Sequence, residues 1–300
     1  MKFVDPKNDV AFKKIFGSEH KTEILISFLN AVLDLTDDHE IQTVQILNPF
    51  QTPEIKILKS TILDVRATDK RGVTFIVEMQ AENKVGLKKC FTYYASKAYI
   101  SQIERGSDYP KLNQVVFIGV LDFNLFSSTH YLTRHWILNT ETHERELEDL
   151  EFNFIELPKF TKSEDEIETI LEKWVYFIKH AADLTVVPAN ADTAPLQAAY
   201  EMADHFNWTR EELDLYDYWD IKEQDIRGAI QFAAQVAAEE NLQKGRREGL
   251  QEGKQKQAIA TAREMLADGL DHVAITKYTG LSPEEITALL RAQDIALSEK

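Results

Sequence analysis

Residues 62–80 read ILDVRATDKRGVTFIVEMQ, two β-prone runs separated by the turn signal Asp69-Lys70-Arg71-Gly72. Val, Ile, Thr and Phe dominate both runs and suit a pleated, half-buried surface. A three-residue loop of Lys70, Arg71 and Gly72 joins them as a hairpin, with Gly72 where a left-handed backbone is needed. That loop fixes a register in which Asp64 stands opposite Glu78, and Gln80 shares their face. On one reading these acids coincide on a wet sheet face. On the other they form a site, because directly opposed like charges destabilise a sheet and a divalent cation removes the repulsion. Carboxylate oxygens suit Mg²⁺ or Mn²⁺ and leave waters on the ion, one of which can become a nucleophile.

Upstream, Val10, Ala11, Ile15, Ile24, Leu25, Phe28, Leu29 and Val32 recur at helical spacing, interrupted by Gly17 and Ser18, so two helices open the chain. Residues 41–47 predict a strand that ends at the Asn48-Pro49 turn. Leu87, Cys90, Phe91, Tyr94 and Ala98 predict a helix, and residues 114–122 and 152–157 predict further strands. Residues 1–160 thus read as an α/β core with antiparallel pairs. From Lys162 the pattern turns helical through Ile167, Ile170, Leu171, Trp174, Val175 and Ile178, which makes residues 161–240 a helical extension. Residues 241–300 predict a charged helix with Gly245, Gly249 and Gly253 on one face, then a helix-turn-helix-like tail. Its last helix opens with a capping box of Ser282 and Glu285 around Pro283. Glu284 and Glu285 occupy the end of the would-be recognition helix where phosphate and base contacts are made. The tail is therefore expected to serve interaction or assembly, with a homo-oligomer forming through the C-terminal helices.

The 300 residues carry 34 Lys and Arg against 50 Asp and Glu, a net charge of −16, which does not suggest a nucleic-acid partner. The charge is uneven, however. Residues 141–172 hold twelve acidic and three basic side chains, whereas residues 83–103 hold four lysines and no acid. Lys89, Tyr93 and Lys97 fall at i, i+4 and i+8 of the predicted helix there, a stripe suited to DNA phosphates. A single cysteine, Cys90, excludes an intrachain disulfide and a multi-cysteine zinc site and fits a reducing, cytoplasmic location. The charged N-terminus does not read as a secretory leader, and no apolar run nears the roughly 20 residues that cross a bilayer, so no membrane partner is expected. The chain has no Gly-rich phosphate loop, no G-x-S-x-G elbow and no HExxH pair.

Asp64, followed by Glu78-Met79-Gln80, resembles the D…ExQ variant of the PD-(D/E)XK nuclease signature. The chain is similar to the recombination-promoting nuclease family, whose members are also described as transposase-like. The likeness is carried by NDVAFKKIFG (8–17), LDVRA (63–67), YYASK (93–97), LDFNLF (121–126) and FIELPKF (154–160), and it continues into the charged helix and tail. It implies an α/β, restriction-endonuclease-like core with a central mixed sheet flanked by helices, followed by a mostly helical C-terminal region. The implied activity is metal-dependent hydrolysis of DNA phosphodiester bonds by an endonuclease, in recombination, mobile-element or defence biology.

By the same resemblance Asp64 and Glu78 hold the catalytic metal, Mg²⁺ first and Mn²⁺ or Ca²⁺ as alternatives, and Gln80 stands where the superfamily has lysine. Asp9 matches an acidic position of the opening motif and is an accessory candidate. Relatives often carry Arg where this chain has Cys90. An amide has no charge with which to stabilise a developing phosphorane, so Lys89 and Lys97 are expected to supply it. The rival expectation is a catalytically silent nuclease-like scaffold that binds nucleic acid or protein.

Overall fold

The computed structural model describes residues 2–48, 50–51, 61–103 and 108–298. Pro49 of the expected turn and the last two residues of the tail lie outside them. The chain divides into two compact units, Met1–Lys222 and Glu223–Lys300. In the first, α1 (Asp9–Phe16) and α2 (Thr22–Leu33) precede β1 (Val44–Ile46), the small pair β2 (Phe50–Gln51) and β3 (Thr61–Ile62), β4 (Val65–Asp69), β5 (Thr74–Gln80) and α3 (Leu87–Ile100). Then follow β6 (Val115–Leu121), β7 (Leu132–Ile137), β8 (Leu147–Glu156), α4 (Ile170–His180) and α5 (Ala194–Ala203).

Six strands form one mixed sheet in the order β1-β4-β5-β6-β8-β7. The hairpin of β4 and β5 has the register read from its loop, Val65 opposite Val77 and Thr68 opposite Thr74. Gly72 holds φ +83° in the turn. β5, β6 and β8 run parallel, and β6, VVFIGVL, is buried along its whole length, as a central parallel strand covered on both faces must be. Gly119 is required there, because a Cβ would stand 2.8 Å from the Phe154 ring.

The two faces are covered unequally. Leu87, Phe91, Ala95 and Ala98 of α3 pack on Leu63, Ile76, Phe117 and Phe154. On the other face α1, α2, α4 and α5 bury Phe12, Phe16, Phe28, Trp174, Phe177 and Tyr200 against Val65, Val77, Ile118 and Ile155. The segment expected as a helical extension from residue 161 thus fills the main core through α4 and α5, because its apolar stripe is the sheet's missing cover. β7 was not expected. It is an edge strand whose second half is exposed, so it lacks the in-out alternation that marks a half-buried strand.

Two of the quoted family motifs meet in a structural lock. The Glu156 carboxylate, fully buried, accepts from the backbone N–H of Leu125 (2.5 Å) and Phe126 (3.1 Å) and pairs with Lys159, whose ammonium also donates to Phe126 O at 2.9 Å. Removing one partner of such a pair strands the other charge, so Glu156→Ala is expected to lose about 3–5 kcal/mol in urea unfolding. A loss below about 1 kcal/mol would contradict this role.

α6 (Arg210–Ala267) begins in the first unit and continues into the second, which also holds α7 (His272–Thr279) and α8 (Pro283–Ser298). α6 runs as one helix through the three glycines, and a Cβ at Gly245, Gly249 or Gly253 would meet nothing within 4 Å. Asp271 caps α7 by accepting from Ala274 N at 2.7 Å, and Gly280 ends it in the left-handed region. Ala262, Ile275, Leu281 and Ile286 form the small core of this unit. Among the described residues no helix is long and apolar enough to cross a membrane.

Candidate active site

β4 begins one residue after Asp64, and the reason is chemical. Instead of a ladder bond, Asp64 N donates to Glu78 Oε1 at 3.0 Å and Met79 N donates to Asp64 Oδ2 at 2.8 Å. The two acids are thus interlocked at the end of the hairpin through the backbone N–H groups of Asp64 and Met79. Glu78 is 3% exposed, and Gln80 Nε2 reaches Glu78 Oε2 at 3.4 Å, at the long end of hydrogen bonding. Asp64, Glu78 and Gln80 therefore share one small region.

α1 brings two more charges. Its apolar face, Ala11, Phe12, Ile15 and Phe16, is buried, and Asn8 caps it by accepting from Val10 N at 2.9 Å while donating to Tyr216 O at 3.4 Å. So fixed, the helix turns Asp9 and Lys13, one turn apart, toward the hairpin. Lys13 Nζ lies 2.7 and 2.8 Å from the two Asp9 carboxylate oxygens and 3.3 Å from Asp64 Oδ1. Lys13 is the residue that the sequence reading missed. Its signal was present: an acid and a lysine at i and i+4 on the polar side of an otherwise apolar helix.

Three carboxylates share one ammonium here, and the protonation equilibria record the imbalance. Burial pushes Asp64 up to about 7; Lys13 opposes this, while the charge of Asp9 and a hydrogen bond to it add to it. Glu78 is held well above the ordinary range by burial and then by the Asp64 charge, against the hydrogen bond from Asp64 N–H. For Lys13 burial works against the charge, but Asp64 and Asp9 outweigh it and hold the ammonium above the usual lysine value.

A carboxyl group raised on folding is most stabilising below its unfolded value, near 3.8, and that contribution is lost as pH rises through about 7. Melts in EDTA are therefore expected to show wild type losing more stability between pH 5 and pH 8 than Asp64→Asn. Parallel pH curves for the two proteins would contradict the assignment.

α3 borders the pair through a different face from the one expected. Tyr94 is half-buried, and its phenol is raised by burial, by a hydrogen bond with Cys90, and by the charges of Cys90, Glu78 and Asp64. Cys90, Tyr94 and Lys97, at i, i+4 and i+7, share one face of the helix, and Lys97 is 8% exposed. Lys89 and Tyr93 face solvent. The expected stripe of Lys89, Tyr93 and Lys97 is thus split between two faces, because a step of i+8 drifts well round a helix of 3.6 residues per turn.

Among the described residues no group of three or more His, Cys, Asp or Glu side chains is gathered as a ready metal-binding set. The donor chemistry nonetheless fits a small hard cation: buried carboxylate oxygens at Asp64 and Glu78, with more negative charge than Lys13 balances.

At the tail, Ser282 N donates to Glu285 Oε2 at 2.7 Å and Glu285 N to Ser282 Oγ at 3.2 Å. Glu285 thereby caps α8 at its N-terminus.

A family model described as PD-(D/E)XK nuclease family transposase matches residues 6–233. A second, described as Rpn/YhgA-like nuclease family, C-terminal HTH domain, matches residues 255–291. No curated protein and no solved structure matches the chain. The tail is thus a helix-turn-helix domain, which points to DNA and gives no support to the assembly role read from Glu284 and Glu285.

Proposed function

Because the chain belongs to the PD-(D/E)XK nuclease family transposases, we propose that it is a metal-dependent DNA endonuclease acting in recombination, mobile-element or defence biology. The observation that carries this reading is the interlocked, buried pair Asp64 and Glu78, whose carboxylates stay under-neutralised at the end of the β4–β5 hairpin. Asp64 and Glu78 would hold a divalent ion, Mg²⁺ in the cell, which would supply Lewis-acid charge and activate a water as nucleophile. Mn²⁺ or Ca²⁺ would meet the same oxygen donors.

The chain's own groups do the rest. Asp64 and Glu78 are already oriented by the hydrogen bonds from Met79 N and Asp64 N, so little ordering entropy opposes binding. Gln80 orients Glu78 through its amide but brings no charge. Asp9 is close enough to serve as an accessory acid through its contact with Lys13. Lys89 and Tyr93 are exposed on α3 and would meet DNA phosphate. Lys97 is too enclosed to track the backbone in the same way. The C-terminal domain adds a second, independent grip on DNA.

Incubation with a covalently closed supercoiled plasmid tests the proposal. Loss of the supercoiled form with Mg²⁺ and its retention with EDTA is the expected result. Intact plasmid in Mg²⁺, with DNA binding preserved, would instead leave a nuclease-like scaffold.

A further inference from the structure

We propose that Lys13 is the resident counter-cation of the acidic site: it holds Asp9 and Asp64 in place without metal, and a divalent ion binds in competition with it. The inference rests on the metal-site reading above and adds the residue that regulates occupancy of that site.

Three observations carry it. The ammonium lies within 2.8 Å of both Asp9 oxygens and 3.3 Å from Asp64 Oδ1, so it spans two acids that would otherwise repel each other. Its side chain is 35% exposed whereas that of Asp64 is 9% exposed, so Lys13 enters from the open side and can withdraw without disturbing the sheet. Asp9 keeps its one-turn pairing with Lys13 when the Asp64 contact breaks, which leaves the displaced charge with a partner. The helix need not move for this, because Asn8 and Tyr216 hold its start.

The neighbouring lysine provides a control. Lys14 turns away, with Nζ 2.6 Å from Glu212 Oε2 and 4.3 Å from the centre of the Trp208 ring. A general loss of positive charge from α1 would be felt at either position, but competition with metal is felt only at Lys13.

The experiment titrates Mn²⁺ alone into full-length wild type, Lys13→Met, Lys13→Gln and Lys14→Met by calorimetry, and melts each protein in EDTA. Both Lys13 variants are expected to bind Mn²⁺ about tenfold more tightly than wild type, since the competing charge is gone. They should also melt at lower temperature in EDTA, because the carboxylates have lost their partner. Lys14→Met should match wild type in Mn²⁺ affinity. Lys13→Gln keeps a hydrogen-bonding group and serves where Lys13→Met does not fold. Unchanged or weaker Mn²⁺ affinity in the folded Lys13 variant overturns the proposal while leaving the metal site intact. Absence of Mn²⁺ binding in wild type and variants alike overturns the metal-site reading, and the competition with it.

Discussion

Asp64→Asn is expected to lose at least about a thousandfold in plasmid cleavage, because a neutral amide neither binds a hard cation well nor completes the charge that lowers the pKa of a bound water. The fold should not suffer. The Asn carbonyl can still accept from Met79 N, Lys13 retains Asp9, and one of the charges that burial disfavours is gone. Above pH 7 in EDTA the variant should melt with or a few degrees above wild type. A large fall in melting temperature would instead make Asp64 a structural acid, and retained cleavage would place the chemistry elsewhere.

Ile275→Asp is expected to have the largest effect on DNA affinity. Ile275 is fully buried in a small core that, among the described residues, it forms with Ala262, Leu281 and Ile286 and a few partly buried neighbours. A carboxylate there has no partner, and so small a core has little stability with which to offset several kcal/mol. α7 and α8 should lose their packing, and affinity for a fluorescent duplex, read by anisotropy at fixed salt, should fall tenfold or more. The first unit has its own core and should keep its melting transition and its metal-dependent cleavage at saturating DNA. Unchanged affinity would return the tail to the assembly role, and light scattering of both proteins would then decide.

What was legible in the sequence followed from local rules. The loop Lys70-Arg71-Gly72 determines which residues face each other, so the opposition of Asp64 and Glu78 required no knowledge of the rest of the fold. The cap at Ser282 was legible for the same reason. The pairing of Lys13 with Asp9 was legible at i and i+4, but its contact with Asp64 was not, because Asp64 lies far along the chain and only the packing of α1 on the sheet brings them together. Tyr94 was passed over for Tyr93 because adjacent tyrosines point to different sides of a helix and the sequence does not say which side meets the acids. Lys97 looked like a surface lysine until α3 was placed on the sheet. α4 and α5 read correctly as helices but not as core, since an apolar stripe does not name the surface it covers.

Mn²⁺ binding followed by electron paramagnetic resonance tests the acidic pair most directly, without reliance on cleavage. Titration of wild type with Mn²⁺ should quench the free-ion signal as the ion enters the site, and Asp64→Asn and Glu78→Gln should each leave that signal at its protein-free intensity. An unquenched signal with wild type, or quenching by both variants as strong as by wild type, would contradict a divalent metal site at Asp64 and Glu78.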